Sequence, residues 1–104
     1  MEYSDDELDE LIQEATVDCY NDSEQATGLF TMVEENVGFP FATKILGSPV
    51  TVEGIDLVGE HEIVAVCSNG TEHQKIRLAD LPLPSPPPDG AEWIAAYRRW
   101  ISTF

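Results

Sequence analysis

Between Glu2 and Glu35 the chain carries twelve of its twenty acidic residues and no lysine or arginine; the first cation is Lys44. Gathering unneutralised carboxylates into one compact unit costs free energy through mutual repulsion. A fold that accepts this arrangement spreads the acids over solvated helix faces or meets them with cations. Within the stretch, Asp18-Cys19-Tyr20-Asn21-Asp22-Ser23-Glu24 sets oxygen ligands on a segment that breaks helical pattern, between two helical stripes.

The first stripe is Leu8, Leu11, Ile12, Ala15 and Cys19, at helical spacing. Ser4 is its expected N-cap, with Glu7 completing a capping box. Asp5, Asp6 and Glu7 then lie in the first turn, where the helix dipole favours negative charge, so these three acids need no metal to explain them. Asp9, Glu10 and Glu14 fall outside the stripe and are expected to face water. Thr16-Val17 weakens the helix through β-branching, and Tyr20-Asn21-Asp22-Ser23 forms a turn. Asp22 or Ser23 is the expected cap of a second helix with stripe Ala26, Leu29, Phe30, Val33 and Val37, ended by Gly38 and Phe39-Pro40. The two stripes predict an αα-hairpin.

From Phe41 the apolar period becomes two. Segments around Phe41–Leu46, Val50–Leu57, Ile63–Cys67 and Glu72–Leu78 read as strands, separated by turns at Gly47-Ser48-Pro49, Gly59-Glu60 and Asn69-Gly70. Asn69-Gly70 predicts a two-residue type I′ hairpin turn, and Gly54 predicts a bulge. Leu81–Pro88 is a polyproline strap. After Asp89-Gly90, the residues Trp93, Ile94, Tyr97, Trp100, Ile101 and Phe104 predict a C-terminal helix with an aromatic core face. The expected fold is α+β, one domain over 1–104: a helical hairpin, a four-stranded antiparallel sheet curled toward an SH3-like barrel, the strap and the last helix.

A net charge of −15, with five basic residues against twenty acidic ones, excludes phosphate-backbone and anionic-membrane binding. No run approaches the roughly 20 apolar residues of a membrane span, and the acidic N-terminus is unlike a signal peptide, so a cytoplasmic monomer is expected. Cys19 and Cys67 are expected to be reduced, and no paired Cys or His motif suits zinc. His61 and His73 stand alone, and no nucleophile elbow, Walker loop or dinucleotide motif is present, so an enzyme is not expected.

Calcium chemistry suits the acid loop, because calcium accepts six to eight oxygens in irregular geometry. Asp18, Asn21, Asp22 and Glu24 supply such oxygens, with Gly38 marking carbonyls at the second helix's end and Glu53, Asp56, Glu60 and Glu62 as further ligands or a second site. An EF-hand is excluded: counting from Asp18, the glycine position holds Ser23 and the final glutamate position holds Leu29. A capped helix turn without metal explains the same loop residues. A different function, an acidic interaction module or DNA mimic capturing a basic protein, suits the same composition.

Glu14-Ala-Thr-Val-Asp-Cys-Tyr-Asn-Asp-Ser-Glu-Gln25, Phe39-Pro-Phe41, Ile63-Val-Ala-Val-Cys67, Asp80-Leu-Pro-Leu-Pro84 and Gly90-Ala-Glu-Trp-Ile-Ala-Ala-Tyr-Arg-Arg-Trp100 together resemble the CcbP-like calcium-binding proteins of cyanobacteria. The resemblance spans nearly the whole chain in order. It implies a small acidic cytosolic protein that binds calcium without EF-hands and buffers or reports it during heterocyst differentiation in filamentous species. Calcium ions and a regulatory protein are the expected partners. On this basis the loop 18–24 is the expected locus.

Overall fold

The computed structural model describes residues 3–104; Met1 and Glu2, the latter counted in the acidic stretch, lie outside them. Helix α1 (Asp5–Ala15) and helix α2 (Asp22–Asn36) form the predicted hairpin. Strands β1 (Phe41–Ile45), β2 (Ser48–Val58), β3 (Glu62–Ser68) and β4 (His73–Arg77) follow, then a single 3-10 turn at Leu78–Asp80, the proline strap and helix α3 (Ala91–Ile101).

Ser4 caps α1 as expected: its hydroxyl oxygen accepts from the Glu7 N–H at 3.1 Å. The second cap differs from expectation. Asn21, in extended conformation, accepts the Glu24 N–H at 2.9 Å, one residue before Asp22 and two before Ser23. The amide oxygen of Asn21 thereby satisfies the N3 N–H of α2, one of the donors that have no partner within the helix. Val37 closes α2 in extended geometry, and Gly38 follows outside the helix, its N–H donating to Asp89 O at 3.0 Å.

Both stripes face a common core. Leu8, Ala15, Ala26, Leu29, Val33 and Val37 are buried, while Leu11, Ile12 and Phe30 pack at its edge. The sheet contributes Val52, Ile63, Ala65 and Cys67, and α3 contributes Trp93, Ile94, Tyr97 and Trp100. Phe104 does not join them. It lies past the end of α3, 59% exposed, against Trp100 and His61 with ring centroids 4.7 and 5.1 Å away. Tyr97 ties the core to the sheet: its hydroxyl accepts from Ile63 N–H at 3.0 Å and donates to His61 O at 3.1 Å.

The sheet is an antiparallel meander in the order β1-β2-β3-β4. It stays open: β1 pairs only with β2 and β4 only with β3, so the expected SH3-like closure is absent among the described residues. The strap runs beside β1 without adding a strand. It is held by Thr43 Oγ1 donating to Pro82 O at 2.7 Å, and Pro82, Pro84 and Pro86–Pro88 lack the N–H groups that a continuous ladder needs. Arg98 secures the other side, donating to Leu78 O at 3.3 Å and to Leu81 O. The bulge expected at Gly54 is present, with Glu53 as the extra residue between the pairs Val52–Cys67 and Gly54–Val66.

Two turns exchange roles. Asn69-Gly70 belongs to a four-residue loop, since the last pair is Ser68–His73; the Asn69 side chain spans it by accepting Glu72 N–H at 3.1 Å. The two-residue hairpin is instead Leu46-Gly47, enclosed by the pair Ile45–Ser48, with φ of +50° and +80°. Positive φ at both central positions is the type I′ signature, and Leu46 projects fully into solvent. No described helix is long and apolar enough to cross a membrane.

Candidate metal centre

The acids divide into those that meet a cation and those that do not. On the sheet, Asp56 pairs with Lys75 at 3.1 Å and Glu62 with Arg77 at 3.2 Å, while Glu53 touches the His73 imidazole at 3.0 Å, a charge pair only when that ring is protonated. The ammonium of Lys75 and the Leu57 N–H hold the Asp56 carboxyl below its ordinary range. Three of the four sheet acids proposed as ligands are therefore engaged within the protein; Glu60 alone has no ion pair. On α1, Asp9 was expected to face water. It faces α3 instead, where Arg99 donates through Nε at 2.7 Å and Nη2 at 3.3 Å, with Asp5 3.2 Å from Nη1. Positions five and nine share one helix face, and the packing of α3 against that face brings the guanidinium to it.

Asp18, Asp22 and Glu24 are exposed and form no ion pair among the described residues. Asp18 stands beyond the α1 end in the left-handed region, φ +63°, so its backbone is outside helical hydrogen bonding. Asp22 and Glu24 lie in the first turn of α2, and Asn21 just before them is exposed with its amide oxygen occupied by the cap. Neither α1 nor α2 carries a basic residue in its last turn. The carbonyl end of α1, where the dipole is negative, therefore has no basic side chain of its own helix to offset it.

Asp18, Asn21, Asp22 and Glu24 lie within seven residues of one another at the α1–α2 junction; Gly38 does not. The whole of α2 separates it from Asn21, which at about 1.5 Å per residue is on the order of 23 Å. Gly38 cannot share an ion with the loop. Its place at the helix end was legible, but the uninterrupted 15-residue length of α2 that removes it from the site was not.

The donor chemistry of the loop fits calcium. From Asp18 to Glu24 every side chain with a ligating atom ends in oxygen except Cys19, and the Cys19 thiol turns toward Val17 O at 3.8 Å. Among the described residues, no three His, Cys, Asp or Glu side chains stand preassembled as a metal cage. An ion held here would draw on backbone carbonyls and water beside two or three carboxylates, a mixture that calcium tolerates and magnesium does not.

Comparison with known proteins bears on the fold and on calcium. A solved structure, the crystal structure of Anabaena CcbP, superposes with a TM-score of 0.71 over 97% of this chain and 94% of that one, at 19% identity, and so shares the fold. No curated protein matches the chain in sequence. The CcbP family profile, described as calcium binding, matches residues 9–101. With nearly the whole sequence inside that match, the chain belongs to the CcbP family of calcium-binding proteins.

Proposed function

We propose that the protein is a reversible calcium buffer or sensor whose tightest site lies in the loop between α1 and α2, with Asp18, Asp22 and Glu24 as carboxylate ligands and Asn21 and loop carbonyls beside them. One observation carries this reading: Asp18 past the end of α1 and Asp22 and Glu24 in the first turn of α2 lie within one seven-residue segment, exposed and without an ion pair among the described residues, in a chain that engages its other ligand candidates Glu53, Asp56 and Glu62 internally. The remaining acids of α1 and α2 supply weaker, salt-screened association. The protein acts by binding rather than by catalysis, as a cytoplasmic monomer. A sensor role adds a regulatory protein partner, and heterocyst differentiation is the setting that the family resemblance implies. The test is a calorimetric calcium titration repeated in equimolar magnesium. A saturable event of low stoichiometry that survives magnesium supports the reading. Diffuse heat abolished by salt would favour an acidic mimic of nucleic acid, and displacement by magnesium would contradict an irregular calcium site.

A further inference from the structure

We infer that Gly28 is a positioning residue for the calcium loop, an inference that rests on the placement of the site between α1 and α2. The proposed ligands come from two elements. Asp18 follows the end of α1, whereas Asp22 and Glu24 start α2. Their separation is therefore set by how closely the two helices approach at the base of the loop. That approach is made at Gly28. A Cβ at this position would lie 2.2 Å from the carbonyl oxygen of Ala15 and 3.6 Å from the Cys19 sulfur.

The contact partner is backbone and cannot rotate away. Ala15 is the last residue of α1 and is buried. The N–H of Cys19, which would close another helical turn onto Ala15 O, bonds instead to Thr16 O at 3.0 Å. Ala15 O thus points at the bare Cα of Gly28, a close carbonyl–CαH approach of the kind that recurs at helix interfaces. Glycine in the first half of a helix otherwise costs stability relative to alanine, so the sequence accepts that cost where the two helices touch. A methyl group here drives the end of α1, and Asp18 with it, away from Asp22 and Glu24.

The experiment is a calcium chloride titration of the full chain at low temperature, comparing wild type, Gly28→Ala, Asp22→Asn and the control Gly54→Ala, whose added methyl meets no atom within 4 Å. Circular dichroism verifies that each variant is folded, so that lost stability alone does not alter the measured affinity. The expected result is at least a tenfold weaker tight event in Gly28→Ala and Asp22→Asn, with Gly54→Ala within twofold of wild type. Loss in Asp22→Asn with wild-type affinity in a folded Gly28→Ala would overturn the positioning role alone. Wild-type affinity in Asp22→Asn would remove the loop site itself. Should Gly28→Ala not fold, hydrogen exchange on the wild-type protein decides: calcium must slow exchange at Thr16–Cys19 and at Gly28–Leu29 together, and protection confined to 20–24 would overturn the inference.

Discussion

The Arg99 guanidinium grips Asp9 with two donors, Nε at 2.7 Å from Oδ1 and Nη2 at 3.3 Å from Oδ2. A planar fork on a carboxylate is specific in direction as well as charge. With Asp5 on the same guanidinium, it docks an acid-rich helix onto α3, whose last turn holds Arg98 and Arg99. Two of the acids that looked like solvated surface therefore fix the position of α1.

That pair has a pH signature. The hydrogen bond from Arg99 holds the Asp9 carboxyl below the usual range. Its contribution is present above the unfolded pKa of about 3.9 and is lost as pH falls through the lower folded value. Arg99→Ala should lower the melting temperature at pH 7, more in low salt than in high. The difference from wild type should shrink below about pH 4, where the unfolded chain binds its proton. Scanning calorimetry at pH 7 and pH 3 checks both; an unchanged difference at pH 3 would exclude the ion pair as its source.

Tyr97 predicts alkaline sensitivity. Burial pushes its phenol up to about 12, against an unfolded value near 10. The neutral form is favoured in the native state, so its contribution is whole below about pH 10 and declines as pH rises through the folded value. Tyr97→Phe should cost on the order of 1–3 kcal/mol at pH 7, because the buried Ile63 N–H loses its acceptor. It should also flatten the loss of stability between pH 10 and 12, which denaturant titrations across that range measure. A wild-type pH slope in Tyr97→Phe would assign the alkaline loss to other groups.

Much of the fold was legible from period alone. The stripes Leu8–Ala15 and Ala26–Val37, the alternation from Phe41 and the bulge beside Gly54 each depend on local pattern, and local pattern is what a sequence displays. What escaped depends on neighbours distant in the chain. Asp9 turns from surface to docking contact only because Arg99, ninety residues later, packs over it. Leu46 at positive φ carries no turn signal of its own, whereas Asn69-Gly70 carries a strong one and sits in a longer loop. The candidate loop was legible by composition. That Gly38 lies beyond its reach, and that Glu53, Asp56 and Glu62 are already paired, required the packed structure.

Calcium should stabilise the protein beyond general screening. Binding to the native state alone adds about 2.7 kcal/mol when free ligand exceeds the dissociation constant a hundredfold. Millimolar calcium chloride should therefore raise the melting temperature more than sodium chloride at matched ionic strength. Equal shifts in the two salts would mean that the acids attract cations without a site.

The central claim is that the tight calcium site lies in the α1–α2 loop rather than on the helix face. It is tested most directly by calorimetric titration of four charge-removing variants at low and high salt. Asp22→Asn and Glu24→Gln remove exposed carboxylates in the first turn of α2, next to the α1–α2 loop; Asp6→Asn and Glu10→Gln remove exposed carboxylates of α1 that make no ion pair with Arg99. Loss of a ligand should weaken the tight event by at least about tenfold, or 1.4 kcal/mol, in the two loop variants at either salt concentration. The two helix variants should keep it and lose only part of the weak, salt-sensitive phase. Loss of the tight event in the helix variants with its retention in the loop variants would contradict the account.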